Sequence, residues 1–424
     1  DHVMSKQDQS ENADIPVSGS WLRCLIALTV VGIVAGCLGA LFLVSLDHVT
    51  LLHQAYPMLL LGLPIAGVVV VTLYQRWGGL AGQGSHLLVE EIHELQGKVP
   101  LRMAPLVLLA TLVTHLFGGS AGREGTAVQM GGSIAAYCAK RFGLTMQQQR
   151  LVLLGGVAAG FGAVFGTPWA GAIFAVELPV RGRWHYRMLL PALFASWLGH
   201  LTCIAWGVHH TDYRACGLTF TGYVNPSLWL VMAVILASIC FGGAGRLFVM
   251  LSEVCSDWLA KIFPMPQWRA FCGGILVIVF VMVLGTPDYL GLGVVANRPD
   301  GISILSSFHE GGAEQWSWFW KLAFTVITLS SGFKGGEVTP LFFIGAALGN
   351  VLGVSMGMPV ALFAGLGLIA VFAGAAKTPP ISKPSVAPAR SVMPMCQMKV
   401  AKIARVRKNS AALTEPTTLR GSTP

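Results

Sequence analysis

Two short glycine-rich motifs decide the fold of this 424-residue chain. The first is GREGT at residues 122–126, and the second is GGEVT at residues 335–339. Both have the spacing G-x-E-x-T, and each leads into an apolar stretch. A shared glutamate at a helix start is expected of a membrane protein with duplicated halves, which often have inverted topology. Chance similarity in glycine-rich sequence is the alternative.

The composition around these motifs is that of a membrane protein. Hydrophobic residues make up 54% of the chain and charged residues only 11%, where soluble proteins have about 25% charged residues. The 51 glycines suit closely packed membrane helices. Most cytosolic enzymes, secreted disulfide scaffolds and disordered proteins are excluded, because a soluble protein of this size needs far more charge at its surface.

Long uncharged runs predict the membrane-spanning helices. A helix needs about 20 apolar residues to cross a hydrocarbon core of ~30 Å. The uncharged runs are residues 24–46, 58–74, 103–121, 151–176, 188–210, 215–245, 270–287 and 338–376. A β-barrel would alternate polar and apolar residues, which these runs do not. We therefore predict an all-α polytopic membrane protein with about ten or more helical segments.

Two of these runs contain residues that interrupt helices. Run 151–176 carries six glycines and Pro168, and run 338–376 carries seven glycines with Pro340 and Pro359. Such interruptions predict broken helices that meet inside the protein, where non-helical backbone lines a site. Ordinary packing of helices through small residues is the alternative.

The positive charge lies at the C-terminus. Residues 377–424 hold nine basic residues and one acidic residue, and so supply +8 of the net charge of +9. Nucleic-acid binding by the whole chain is therefore not predicted. We divide the chain into a polar lead (1–20), a first membrane half (21–215), a second membrane half (216–379) and a basic, proline-rich tail (380–424).

The tail departs from the repeat. By analogy with the first half, an apolar segment should follow Thr378 and Pro379, but a proline-rich and basic sequence stands there. One interpretation is a disordered tail on anionic lipid. The other is a change of reading frame near residue 380, which would leave the second half C-terminally incomplete.

Glu124 and Glu337, the glutamates of the two motifs, are the candidates for chemistry. A carboxylate at membrane depth costs at least ~2.5–3.5 kcal/mol unless it is paired or solvated, so it marks a pathway. A helix N-terminus favours negative charge, and would equally favour a small anion. A glutamate there excludes the anion when ionised and admits it when protonated. An ion pair of Glu124 with Arg123, or a simple helix cap, is the alternative.

The motifs resemble those of the CLC family of chloride channels and proton-coupled anion transporters. The resemblance runs from about residue 21 to 380 and rests on residues 122–126, 162–177, 289–293, 334–340 and 374–379. It implies an inverted repeat of broken and tilted helices. It also implies a homodimer with one anion pathway per subunit, in the plasma (inner) membrane of a bacterium.

The resemblance also implies roles for individual residues. Glu124 corresponds to the gating glutamate, which blocks the pathway and accepts the proton. The implied anion-binding residues are Ser85, Gly122, Arg123, Gly125, Val338 and Thr339. Ser85 matches a first-filter hydroxyl only partly, because residues 86–88 depart from the family pattern, and Gln83 is its rival.

Three departures from the family pattern bear on the substrate. Thr126 replaces the usual proline of the gating motif, and Leu178 stands where chloride/proton antiporters carry an inner glutamate. Glu337 instead lies in the second filter loop, as a possible second coupling carboxylate. These features resemble the fluoride/proton antiporter branch, whereas Ser85 is unusual for that branch. The choice between chloride and fluoride therefore stays open.

Together these features predict transport of a small halide, chloride or fluoride, by proton-coupled antiport. A passive chloride channel of the same fold and an inactive truncated family member are the alternatives. No H-E-x-x-H, Walker A or nucleophile-elbow motif is present, so an enzyme is not predicted. Neither a metal nor a cofactor is predicted. The expected partners are the halide, protons, the lipid bilayer and a second copy of the chain.

Overall fold

A computed structural model describes residues 18–178, 186–211, 227–296 and 298–377. Within these ranges the protein forms thirteen α-helices and no β-strand, so the predicted all-α fold is confirmed. The predicted division between the halves at residue 215 and the tail from residue 380 lie outside the described residues.

The first half contains eight helices. They are α1 (Ser18–Ala55), α2 (Leu63–Leu73), α3 (Ser85–Glu94), α4 (Met103–Leu116), α5 (Glu124–Arg141), α6 (Met146–Phe165), α7 (Pro168–Glu177) and α8 (Tyr186–Ala205). Between α1 and α3 lie two short 3₁₀ helices, Pro57–Gly62 and Gly79–Gln83, and one π-helix, Tyr74–Gly78.

The second half contains five described helices. They are α9 (Leu228–Ile262), α10 (Pro266–Leu284), α11 (Ser317–Ser330), α12 (Val338–Met356) and α13 (Val360–Lys377). A single 3₁₀ turn, Ser306–Phe308, lies between α10 and α11. In the described part of the chain, seven helical segments are long and apolar enough to cross a membrane.

Both predicted helix breaks occur where the sequence places them. In the first half α6 ends before Gly166, whose φ of +73° is left-handed, and α7 begins at Pro168. In the second half α12 ends before Gly357, with φ +63°, and α13 begins directly after Pro359. Glycine adopts positive φ without strain, and proline suits the first turn of a helix. Each half therefore contains a pair of helices joined by a sharp break.

The two halves pack in the same way. Helix α5 packs on α6, as α12 packs on α13. A Cβ atom at Gly131 of α5 would lie 2.1 Å from the carbonyl oxygen of Gly156, and one at Gly345 of α12 would lie 2.1 Å from that of Gly367. The backbones of both pairs are therefore in direct contact. Likewise α1 contacts α4, α5 and α6, as α9 contacts α11, α12 and α13. The predicted internal repeat is confirmed.

Helices α9 and α11 show why the uncharged-run prediction can fail. Helix α11 was missed, because Lys321 interrupts an otherwise apolar segment, although the structure buries this lysine completely. Helix α9 continues past the predicted end at residue 245 to Ile262 and includes four charged residues in its second half. At ~1.5 Å per residue, its 35 residues exceed the ~30 Å hydrocarbon thickness. The charged part can therefore extend beyond the membrane core.

Candidate functional site

The two glycine-rich motifs meet through their backbones. Gly122 and Gly336 form an isolated antiparallel bridge, in which each N–H donates to the carbonyl of the other over 2.6 Å. Helix α5 begins two residues after Gly122, and α12 begins two residues after Gly336. Two helix N-termini therefore converge on one place. Their free N–H groups and the positive ends of their dipoles favour a negative charge there.

The carboxylate of Glu124 occupies this place. Its side chain is 2% exposed. Oε2 accepts hydrogen bonds from the backbone N–H groups of Arg123, at 3.1 Å, and Thr339, at 3.2 Å, and Oε1 accepts one from the Thr339 hydroxyl. The Arg123 Nε atom lies 3.9 Å from Oε1. All these neighbours are donors or cations, which suits an ionised carboxylate, since that group only accepts hydrogen bonds.

Glycines allow the close approach of the two motifs. A Cβ atom at Gly336 would lie 2.9 Å from the Gly125 nitrogen and 3.0 Å from the Glu124 nitrogen. A Cβ atom at Gly122 would lie 2.7 Å from Glu124 Oε2. Any side chain at these positions would push the carboxylate or the facing backbone away. Of the predicted residues, Gly122, Arg123 and Gly125 thus surround Glu124, together with Gly336, whose part in the bridge sequence reasoning did not foresee.

Of the three residues predicted in the second half, Thr339 is the one seen to bond to Glu124. Val338 is the first residue of α12, and Glu337 is its N-cap. The described hydrogen bonds from this half to the Glu124 carboxylate come from Thr339. Thr339 is therefore the residue that connects α12 to Glu124, whereas Glu337 and Val338 lie in the turn that brings it there.

Ser85 is tied to the helix that carries Glu124. It begins α3, and its hydroxyl accepts a hydrogen bond of 3.2 Å from the amide of Gln129. Gln129 is a mostly buried residue of α5, five positions after Glu124. The rival, Gln83, is exposed at the end of a 3₁₀ helix. The sequence analysis did not select Gln129. A polar residue in the apolar helix, five positions after Glu124, could have indicated it.

Buried polar groups of α4 form hydrogen bonds with the first motif and with the residue before it. The hydroxyls of Thr126 and Thr111 lie 2.7 Å apart, and both side chains are fully buried. The ring nitrogens of His115 face the carbonyl oxygens of Thr111, at 2.8 Å, and Ala121, at 3.0 Å. Thr126 thus does what a proline at this position could not, because proline has no hydroxyl. These contacts join α4 to the start of α5 and to the loop before it.

Among the described residues, no group of three or more His, Cys, Asp or Glu side chains is arranged to hold a metal ion. The groups around Glu124 are backbone N–H groups, the Arg123 side chain and the Thr339 hydroxyl. Donors of this kind can hold a small anion by hydrogen bonds.

Comparison with known proteins assigns the family. A family model described as "Voltage gated chloride channel" matches residues 66–382. The chain belongs to this family. A "Chloride/fluoride channel protein" of Pseudomonas syringae pv. tomato (strain ATCC BAA-871 / DC3000) is 43% identical over 384 residues, which is 89% of this chain and 81% of that protein. A "Voltage-gated ClC-type chloride channel ClcB" of Shigella boydii serotype 18 (strain CDC 3083-94 / BS512) is 26% identical over 69% of this chain and 68% of that protein.

Solved structures agree with the assignment. A "CLC-type fluoride/proton antiporter" superimposes with a TM-score of 0.79 at 33% identity and covers 86% of this chain and 89% of that one. A "slow cyanobacterial Cl-/H+ antiporter", at 22% identity and a TM-score of 0.64, covers 84% of each chain and shows the shared fold. This CLC-family chain is therefore a multi-pass integral membrane protein, as the sequence predicts, and its bacterial relatives are consistent with the inner membrane.

Proposed function

We propose that this protein moves a small halide across the membrane in exchange for protons, with Glu124 as the gate and the proton acceptor. The observation that carries the proposal is the position of the Glu124 carboxylate, buried between the N-termini of α5 and α12 and bonded to both. A halide ion is also a small acceptor of hydrogen bonds. It can therefore take the place of the carboxylate among the same donors.

Protonation of Glu124 makes the exchange possible. The ionised carboxylate is held by charge-assisted hydrogen bonds from Arg123 and Thr339, which weaken once the group is neutral. The neutral side chain then leaves, and a halide binds to the freed N–H groups. One negative charge thus replaces another in an interior where an unpaired charge is costly. Loss of the proton on the far side returns the carboxylate and expels the halide.

We infer that fluoride is the preferred halide and that chloride competes with it. A relative at 43% identity is named for both ions, and a solved structure at 33% identity is of a fluoride/proton antiporter. Thr126 and Leu178 point the same way. In this proposal Ser85, which contacts Gln129, contributes a hydroxyl from the first membrane half to the anion site.

Three further parts of the proposal rest on the family. We propose that Glu337, one residue after the bridge, acts as a second coupling carboxylate. We propose that the protein works as a homodimer in the lipid bilayer, with one pathway in each subunit. Since its relatives are named as channels and antiporters, we propose transport rather than catalysis.

The test is flux from liposomes that contain the purified chain, loaded with fluoride or chloride and followed with halide-selective and pH electrodes. Halide efflux that drives proton movement in a fixed ratio, faster for fluoride, is the expected result. Halide efflux without proton movement would identify a passive channel. If neither ion moved while detergent-solubilised protein stayed folded, the proposal would be rejected in favour of an inactive family member.

A further inference from the structure

One cation lies deep in the second half, away from any acidic partner in the described ranges. Lys321 of α11 is 0% exposed. Its Nζ atom donates to the carbonyl oxygens of Tyr289, at 3.1 Å, and Gly291, at 2.8 Å, and lies 5.3 Å from the centre of the Phe343 ring. The ion pairs found in the described residues are Lys98–Glu90, Arg123–Glu124 and Arg298–Asp288.

The contacts of Lys321 suit an ammonium group, whereas its burial opposes the charge. Two carbonyl oxygens and the face of an aromatic ring are all electron-rich, and each attracts an N–H of the ammonium. These neutral groups hold the cation in place but do not cancel its charge. A buried charge without a counter-ion is costly. A buried lysine in an apolar membrane helix is by default a candidate for a functional role.

Contacts connect Lys321 and its helix to both segments that hold Glu124. On α11, Thr325 follows Lys321 by one turn, and its hydroxyl lies 3.0 Å from that of Ser120, four residues before Glu124. On α12, Phe343 follows Thr339 by one turn and lies under the ammonium.

Lys321 also fixes a loop against α12. Gly293 has a left-handed φ of +69°, and a Cβ atom there would lie 2.8 Å from the Phe343 ring and 3.3 Å from Nζ. Loop 289–293 is therefore packed between the lysine and the ring. Removal of the donors of Lys321 would loosen this loop, whereas removal of its charge would change the field at the anion site. The two effects can be separated by experiment.

We propose that Lys321 is a fixed internal cation that favours occupation of the Glu124 site by an anion. This inference rests on the proposed function of that site. The positive charge of Lys321 offsets part of the cost of bringing a dehydrated halide into the protein interior. It acts on the halide and on the ionised Glu124 carboxylate alike, so its effect on halide affinity shows where no carboxylate competes, as in Glu124→Ala, and it leaves the ratio of protons to halide unchanged.

The test compares two neutral variants with the parent protein. Lys321→Gln keeps N–H donors for the loop carbonyls but removes the charge, whereas Lys321→Met removes both. Lys261→Gln is the matched control, because it removes an exposed lysine at the end of α9. Halide binding is measured by calorimetry in detergent in the Glu124→Ala background, the proton-to-halide ratio is measured in liposomes with Glu124 intact, and the melting temperature reports the stability that the loop contacts contribute.

In the Glu124→Ala background we expect both Lys321 variants to raise the halide dissociation constant about tenfold, and Lys261→Gln to leave it unchanged. With Glu124 intact, the proton-to-halide ratio should equal that of the parent in all three variants. Lys321→Met should melt at a lower temperature than Lys321→Gln. An unchanged dissociation constant in Lys321→Gln, with only stability changed in Lys321→Met, would overturn the inference and leave a structural lysine. If the parent neither bound nor moved halide, the proposed function and this inference would both fail.

Discussion

At the scale of single residues, the position of Glu124 makes the sharpest prediction. Glu124→Ala removes the side chain that accepts hydrogen bonds from the N–H groups of Arg123 and Thr339 and that, in the proposed mechanism, competes with the halide for them. We expect halide flux to continue and proton movement to disappear, because no titratable group remains at the gate. Simultaneous recording with halide and pH electrodes measures both. Glu94→Ala, at an exposed glutamate of α3, should behave like the parent. Unchanged coupling in Glu124→Ala would reject Glu124 as the gate.

The hydroxyl pair behind the gate makes a prediction about stability. Thr111→Val leaves the fully buried Thr126 hydroxyl without its partner at 2.7 Å. An unpaired buried hydroxyl costs ~1–3 kcal/mol, whereas replacement of both partners by apolar groups is close to neutral. We therefore expect the double variant Thr111→Val/Thr126→Val to melt at a higher temperature than Thr111→Val alone. Equal melting temperatures would show that the pair does not stabilise the protein.

The position of Glu124 could be predicted from the sequence, whereas the side-chain pairs around it could not. The charge, the flanking glycines and the apolar stretch after Glu124 placed it at a helix start, and the structure has it there. The Ser85–Gln129 contact and the Thr111–Thr126 pair join residues from different helices. No local pattern encodes such pairs, because they depend on how the helices pack. The roles of the anion-binding residues stay predictions.

At the scale of helices, the glycine contacts make a prediction with a built-in control. Gly345→Ala would place a Cβ atom 2.1 Å from the Gly367 carbonyl oxygen, so α12 and α13 must separate. Overpacking of this kind typically costs ~1–3 kcal/mol. A Cβ atom at Gly242 of α9 would meet nothing within 4 Å, so Gly242→Ala should be neutral or stabilising through helix propensity. Thermal unfolding in detergent compares them, and a similar loss in both would refute close packing at Gly345.

The helices also show where sequence rules succeed and fail. The breaks at Gly166 and Gly357 were predictable, because glycine and proline act through the local backbone. Helix α11 was not, because a rule that counts charges treats every lysine as solvated. Lys321 is solvated by carbonyl groups from a loop about 30 residues earlier in the chain, and this is a tertiary interaction.

At the scale of the whole molecule, the antiparallel bridge predicts opposite orientations for the two halves. The loop before α4 and the loop before α11 should therefore reach opposite sides of the membrane. Lys98→Cys and Glu310→Cys place a thiol at a partly exposed residue in each loop. We expect a membrane-impermeant maleimide to label one from outside intact cells and the other only in inverted vesicles. The parent chain, with its nine cysteines, sets the background, and labelling of both from one side would contradict the inverted repeat.

The join between the halves at Gly122 and Gly336 consists of main-chain atoms alone. Selectivity can therefore be redesigned without dismantling the frame, because exchanging the side chains nearby leaves those two amides and carbonyls untouched. The contact that joins the halves is thus independent of the side chains that are proposed to bind the ion. An engineer who wishes to change the preferred ion should accordingly vary residues 85 and 339, which are proposed to bind it, and spare both glycines.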